Sequence, residues 1–407
     1  MDTSALVIEI VAALLTLAGV AYSLIALVAA RGFEGQKNKA KVFTPPVSIL
    51  KPVKGVDARL YAGLESHCRQ EYAGEMELVF GVSSLEDEAV AEVARLKVEF
   101  PQISIRLVEC PLRLGANGKV SNLAQMLPHA KFEHVVVNDA DIAVSPKYLQ
   151  RVMECFKDGA ATTEQQVLRS AQDDKSKKMP VGLVTVPYMG VAQGGLWSRM
   201  EALGISTDFM AGVLTARKLE GGIRFGLGST LATTKTALAA IGGFEALVDQ
   251  LADDYEMGVR MAGAGFGVEL AHEVVATTVP SYTLRGFCEH QLRWSRSTRD
   301  SRRAGYAGLG VTYVLPWAML TVLASGGSLW SISLLSTALL VRVAVALNVG
   351  VGVLRDGQVL RDLWLLPLRD CFAMFFWAWS YASDVVVWRG EKFRLKRGSL
   401  EKADSRQ

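Results

Sequence analysis

The chain has 407 residues, enough for one large domain plus a membrane region, and half of them are hydrophobic. Its 44 basic and 41 acidic residues nearly balance, so bulk charge gives no argument for nucleic acid, while a mean hydropathy of +0.23 is high for a purely soluble enzyme. The five cysteines (Cys68, Cys110, Cys155, Cys288 and Cys371) are scattered without paired spacing; they form no zinc or disulfide framework and fit a reducing compartment as ordinary buried thiols.

Leu6 to Ala30 is an apolar run interrupted only by Glu9 and a few small polar groups. At about 25 residues and ~1.5 Å per residue it is long enough to span the hydrocarbon. A cleaved signal peptide is the competing reading, but no basic region precedes the run, which is too long for such a peptide's apolar core. Arg31, Lys37, Lys39 and Lys41 follow it, whereas Asp2 and Glu9 precede it. Residues 1–31 are therefore expected as a transmembrane helix, with everything after residue 31 in the cytoplasm.

Residues 42–303 alternate strands and helices. Val47–Leu50, Leu78–Val82, Ile103–Val108 and His134–Val137 are short, β-branched and bounded by breakers, as strands are. Leu85–Phe100 and Lys119–Leu127 carry apolar residues at helical spacing. This order predicts an α/β fold with a mainly parallel sheet covered on both faces. Ligands in such sheets sit beyond the carboxyl ends of strands, which is where Asp57, Asp139 and Asp141 fall.

Asp139 and Asp141 are two apart, so in an extended segment both carboxylates point to one side. Two hard oxygen donors after a buried strand suit Mg²⁺ or Mn²⁺ on a diphosphate; a solvated turn is the competing reading. Upstream, Gly115-Ala116-Asn117-Gly118-Lys119 opens a helix whose N-terminus and lysine can hold negative charge, or is an ordinary helix-start loop. The stretch 160–178 is polar, lacks sustained periodicity and is expected as an exposed, mobile loop. Gly194–Ile223 scatters Trp197, Met200, Phe209 and Leu214 in a pattern that suits core or a lipid groove.

Asp253-Asp254 begins a helix, where a cap and a catalytic base are both open readings. His290 to Trp294 lies just before a hydrophobic region, where Arg293 and Trp294 suit either interfacial anchoring or a site for departing diphosphate charge. Leu309–Leu354 reads as a hairpin broken at Gly326-Gly327, and Leu363–Trp388 as a re-entrant or interfacial helix pair, giving a membrane region over 304–392. A basic polar tail, 393–407, completes the chain. Metal-ready carboxylates, a candidate base and a cationic tryptophan element beside membrane segments point to sugar transfer from a nucleotide donor to a membrane-held acceptor.

Val47–Asp57 (VSILKPVKGVD), Gly115–Leu123 (GANGKVSNL), Asn138–Val144 (NDADIAV), Ala252–Met257 (ADDYEM) and Arg293-Trp294 closely resemble the ceramide glucosyltransferase family (glycosyltransferase family 21), especially its bacterial hopanoid-associated members. The resemblance covers most of residues 47–294. It implies a GT-A-like nucleotide-sugar-binding domain, a UDP-sugar donor, a lipid acceptor, a divalent metal, inversion at the anomeric carbon and a bacterial inner membrane with the catalytic domain cytoplasmic. Carried over, Asp57 holds the uridine end and Lys119 the donor side, and Asp139 and Asp141 serve the metal-diphosphate. Asp254 is the base, and Arg293 and Trp294 close the site. The family has Gln or Arg three positions before this arginine; here His290 stands there, still able to donate a hydrogen bond. Processive polysaccharide synthases share the aspartate pattern, but about three crossings are few for a polymer channel. A non-catalytic lipid-binding membrane protein is the remaining alternative, against which stands the presence of all the acidic positions.

Overall fold

Buried β-branched runs build the centre of the molecule. The computed structural model describes residues 3–35, 42–57, 59–157, 179–388, 391–396 and 398–402; the expected loop 160–178 and Lys37, Lys39 and Lys41 lie outside the described residues. After the helix α1 (Thr3–Gly35) come β1 (Val47–Pro52), α2 (Leu60–Cys68), β2 (Met76–Val82), α3 (Ala89–Glu99), β3 (Ser104–Glu109), α4 (Gly118–Met126), β4 (His134–Val137), β5 (Ile142–Ala143) and α5 (Tyr148–Glu154). Then follow β6 (Val181–Thr185), β7 (Tyr188–Ala192), α6 (Gly195–Gly204), a π turn (Ile205–Phe209), α7 (Met210–Glu220), β8 (Leu231–Thr234), α8 (Lys235–Ala240), α9 (Asp253–Gly263), β9 (Gly267–Leu270) and β10 (Val275–Val279).

The large sheet has the order β3-β2-β1-β4-β8-β6-β9. Val47 lies between Met76 and His134 in parallel register, whereas β8 runs antiparallel to both its neighbours. The fold is thus α/β with a mainly parallel sheet, as expected. β4 is buried throughout, in keeping with the three consecutive valines that follow His134. A smaller sheet, β5-β10-β7, crosses the carboxyl end of β4 and fixes the chain just after it.

The second half is helical: α10 (Leu284–Ser301), α11 (Arg303–Thr312), α12 (Val314–Ala324), α13 (Leu329–Ala346, extended by a π segment to Val353), α14 (Gln358–Asp362) and α15 (Leu366–Ser380). Thr3–Gly35 and Leu329–Val353 are long and apolar enough to cross a membrane; α11 and α12, bent by 50°, count as a third if taken together. Helix α1 packs on α12 and α13. A side chain at Gly19 would come 3.0 Å from Val314 Cβ, so glycine lets the two helices touch. Gly326 and Gly327, at φ 65° and 78°, make the turn between α12 and α13 where a break was expected.

The region after α13 differs from the expectation. Leu363–Trp388 holds a 3₁₀ turn, one helix and a strand rather than a helix pair, and the stretch read as a polar tail contributes to a three-stranded antiparallel sheet. This sheet comprises β11 (Val385–Trp388), β12 (Glu391–Lys396) and β13 (Ser399–Lys402), with Val386, Phe393, Leu395 and Leu400 on its buried side. The alternation of charged and apolar residues in Glu391–Lys396 is the period-two signal of a half-buried strand, masked in the sequence by its many basic residues.

Arg342 and Asp370, which interrupt otherwise apolar helices, find each other. Arg342 Nε and Nη2 meet the two Asp370 carboxylate oxygens at 2.8 and 3.0 Å, and Nη1 donates to the Thr207 carbonyl at 3.2 Å. Asp370→Ala leaves the guanidinium buried without its counter-charge and is expected to cost about 3–5 kcal/mol. Thermal unfolding in detergent measures this loss, and Arg342→Met/Asp370→Leu, which removes both charges, should recover most of it.

Candidate functional site

The site begins where β4 ends. Asn138 is fully buried, and its side-chain amide donates to the Ser229 carbonyl (2.9 Å) and Thr230 Oγ1 (3.0 Å), tying this end of β4 to the approach of β8. The Asp139 carbonyl accepts from Lys51 Nζ at 3.0 Å. Lys51 lies wholly inside β1, and burial pushes its ammonium down to about 7 against the opposing pull of Asp141 and Asp139. His67 Nε2 sits 3.5 Å from Lys51 Nζ, and Nδ1 is 2.9 Å from the Gly63 carbonyl, which assigns the proton to Nδ1. Burial, and next the lysine charge, hold this imidazole well below its usual range, so it is neutral. Lys51 thus places an amine beneath the acidic turn that is cationic below about pH 7.

Asp141 Oδ2 accepts from Thr277 Oγ1 (2.5 Å) and the Thr278 amide (3.2 Å) on β10. Burial and Asp139 nevertheless push its carboxyl upward. From the other side, Asn117 caps α4 by accepting from the Lys119 and Val120 amides. Lys119 Nζ then reaches Asp253 Oδ2 at 2.7 Å and Asp139 Oδ1 at 3.4 Å. Burial disfavours its charge, but Asp139, Asp253 and Asp254 together outweigh that and raise its pKa.

Asp253 is therefore committed to Lys119 and to Asn117 Nδ2 (3.3 Å), while Asp254 accepts from the Tyr255 amide at 2.8 Å. Burial, and after it the Asp253 charge, push Asp254 up to about 6. Glycines bring this carboxylate to the acidic turn. A Cβ on Gly228 would sit 3.1 Å from Asp254 Oδ2 and 3.7 Å from Asp139 Oδ2; one on Gly258 would strike Phe225 Cα at 2.3 Å. The two aspartates thus face each other across Gly228.

Asp57, Lys119, Asp139, Asp141, Asp254, His290, Arg293 and Trp294 all line one cavity of about 1560 Å³. Asp57 is exposed and accepts from the Arg59 amide at 2.8 Å. His290 Nδ1 pairs with Glu201 Oε2 at 2.9 Å, and its ring lies between Tyr282 (5.5 Å) and Trp294 (5.0 Å). Glu201 also takes Gln291 Nε2 at 3.1 Å, so a buried carboxylate orients this turn of α10. The apolar stretch 194–223 divides: Trp197 packs on Phe287 and Phe372 in a core cluster, whereas Phe209 lines the cavity beside Tyr188 and Trp294.

Among the described residues no group of three or more His, Cys, Asp or Glu could hold a metal ion by itself. Asp139 and Asp141 still fit Mg²⁺ or Mn²⁺, because such ions take one or two carboxylates and complete their shell with phosphate and water. Asp139 Oδ1 is buried and accepts no hydrogen bond, since the Lys119 contact is a charge contact only. That is the orphaned oxygen a cation would satisfy. Sequence reading passes over Lys51, although a lysine inside a buried strand is itself a signal. It also passes over Glu201, Gly228 and Gly258, whose partners are remote in sequence.

The Glycosyl transferase family 21 profile matches this chain over residues 11–178 and 164–401. Ceramide glucosyltransferase 1 of Caenorhabditis elegans is 26% identical over 250 residues, covering 61% of this chain and 49% of that protein. Ceramide glucosyltransferase 3 of the same organism is 25% identical over 258 residues, covering 63% and 51%. The chain thus spans about half the length of these relatives. Among solved structures, the mannosyltransferase PcManGT from Pyrobaculum calidifontis, in complex with GDP-Man and Mn²⁺, aligns with a TM-score of 0.47 at 18% identity, over 92% of this chain and 99% of that one.

The raised Asp254 pKa has a consequence for stability. A carboxyl whose folded-state pKa lies above its unfolded value favours folding below the unfolded pKa and loses that contribution as pH rises through about 6. Asp254→Asn, which cannot ionise, should therefore melt at a higher temperature than wild type above that pH. The advantage should fade toward pH ~4, near the unfolded carboxyl pKa; melting curves across this range check it.

Proposed function

The chain belongs to glycosyl transferase family 21, and from that premise we propose that it is a membrane-bound inverting transferase that moves a single hexose or N-acetylhexosamine from a UDP-sugar to a lipid hydroxyl. One observation carries this reading. The half-buried Asp254 carboxylate faces the Asp139–Asp141 turn across Gly228, in a cavity that is also lined by residues of α11 and α15 from the helical second half. A nucleotide donor can enter from the sheet side and an apolar acceptor from the helix side.

In this reading Asp57 takes the uridine end, and Lys119 lies on the donor side against the diphosphate charge. Asp139 and Asp141 would hold Mg²⁺ or Mn²⁺, which when bound neutralises the diphosphate as its charge grows. Asp254 accepts the proton of the lipid hydroxyl; that oxygen attacks the anomeric carbon from the face opposite the diphosphate, the old C–O bond breaks, and UDP leaves with the bonding pair. Arg293 meets the departing charge, and Trp294 covers the acceptor side. His290, held on Glu201, orients the helical turn that carries both. An Asp254 pKa near 6 suits the base role, since the group is ionised at neutral pH yet keeps affinity for a proton. The charge pattern around α1 favours a cytoplasmic catalytic domain, in a bacterial inner membrane by the family resemblance, and the chemistry needs no nucleic acid.

The test is UDP release by detergent-solubilised protein, with UDP-glucose and UDP-N-acetylglucosamine offered against ceramide, diacylglycerol and polyhydroxylated hopanoid. Release that depends on one lipid supports the reading. No release with any pair, despite metal-dependent UDP binding, overturns the lipid acceptor, and a product ladder on a glycan gel overturns single transfer. Asp254→Asn should lose transfer by about 10²-fold or more while UDP-sugar binding holds. In wild type, kcat/KM should climb as pH rises through about 6 and then level; a flat profile removes Asp254 from the base role. Asp141→Ala should weaken nucleotide binding in the presence of Mn²⁺ and shift the metal titration; identical titration curves refute its assignment.

A further inference from the structure

Away from the acidic turn the cavity walls are largely apolar, with Phe209, Leu219, Leu309, Val311 and Phe376 among them. Besides the Glu220–Arg302 pair and the His290 partner Glu201, two further charged residues on that lining, Asp208 and Arg369, meet each other. Asp208, in the π turn between α6 and α7, meets Arg369 of α15 with Oδ2 3.0 Å from Nη2. One residue away on each element stands the closed pair: Thr207 and Asp370 share Arg342, and the Arg342 and Asp370 side chains are only 7% and 5% exposed. The two pairs differ in two respects. Asp208 keeps 37% of its side chain open where it lines the cavity, and Arg369 Nη1 is buried with no hydrogen-bond partner. A guanidinium left with an unmade bond in an apolar wall is costly, so an architectural role explains the closed pair and leaves the open one half-used.

The backbone is shaped to the open pair. A Cβ on Gly204 would lie 2.4 Å from Arg369 Nε and 2.6 Å from Nη2, so glycine is what lets the guanidinium lie against the end of α6. The π turn that follows presents Asp208 beside it, and such turns inside helices frequently mark functional sites.

We propose that Asp208 and Arg369 form a second polar subsite within the acceptor part of the cavity, taking a hydroxyl or amide group that the lipid carries apart from its reacting hydroxyl. The inference rests on the lipid-acceptor reading above. A carboxylate accepts and a guanidinium donates, so the pair suits a group that does both. Hydroxyls and secondary amides qualify. An ester offers only acceptors and would leave the Asp208 oxygen that Arg369 does not hold facing lipid without a donor, which is how a buried polar site rejects the wrong ligand.

The experiment compares ceramide with 1,2-diacylglycerol of matched chain length. Both carry a primary hydroxyl, but only ceramide adds N–H and O–H donors. Binding of each to the full chain in detergent is followed by tryptophan quenching with brominated acyl chains, alongside UDP release from UDP-glucose. Wild type should bind ceramide about tenfold or more tightly than diacylglycerol. Asp208→Ala should bring that ratio close to one while UDP affinity and diacylglycerol binding stay unchanged. Gly204→Ala, which displaces the guanidinium without touching either charge, should move the ratio in the same direction. Equal binding of the two lipids by wild type, an unchanged ratio in both variants, or equal weakening of both lipids overturns the subsite. Loss of the ratio in the variants with no UDP release by wild type on either lipid upholds the subsite and overturns transfer from UDP-glucose to these two lipids instead.

Discussion

Lys119 is the tie on which the site depends. Asp139 leaves the end of β4 and Asp253 opens α9, and without a cation between them these carboxylates would repel across the cavity. Lys119 Nζ contacts both, at 3.4 and 2.7 Å, and is presented by a helix whose N-cap, Asn117, itself bonds to Asp253. The same ammonium lowers the cost of ionising Asp254. Lys51 acts from below in the same sense, through the Asp139 carbonyl. Two lysines from two strand–helix units thus hold four acidic residues in one place, and a low-dielectric wall around them makes each charge count for more than it would in water.

Much of this arrangement is legible in the sequence because it follows from period and position. Apolar β-branched runs become parallel strands, and the acidic residues just beyond β4 fall where ligands meet such sheets. Asp253 and Asp254 are different. Their adjacency is plain in the sequence, but their division of labour is not: it depends on Lys119 reaching one carboxylate and Gly228 leaving room beside the other. Lys51, Glu201, Asp208 and Arg369 escape for a related reason. Each acquires its meaning from a partner far along the chain, as Glu201 does from His290 and Asp208 from Arg369. The charged C-terminal strands escape because their basic residues read as a tail until β11 supplies an apolar face to pair against.

The helix α10 joins the two chemistries of the molecule. Its middle carries His290, Arg293 and Trp294 to the cavity, and its cluster partners Phe287 and Leu292 pack with residues of α15. Further along, Arg299 donates to the Ser380 carbonyl at the end of α15 and pairs with Asp384, while Arg296 donates to the Val385 carbonyl. The helix that carries His290, Arg293 and Trp294 is thereby tied directly to the end of α15 and the start of β11.

The C-terminal sheet closes this circuit from the opposite direction. The Leu400 amide donates to the Asp249 carbonyl at 2.8 Å, and Asp249 Oδ1 in turn accepts from the Ala116 amide at 2.8 Å. Gln250 Nε2 donates to Ser399 Oγ at 3.1 Å while its carbonyl accepts from Asn117 Nδ2 at 2.8 Å. The loop 249–253 is therefore clamped between β13 and the start of α4, and it is this loop that delivers Asp253 to Lys119. Strand β13, which follows the membrane-length helices among the described residues, thus helps fix the charge geometry at the centre of the site. The loop 249–253 thus takes hydrogen bonds from both the start of α4 and a segment that follows the helical region, which links the candidate site to the packing of the helices between.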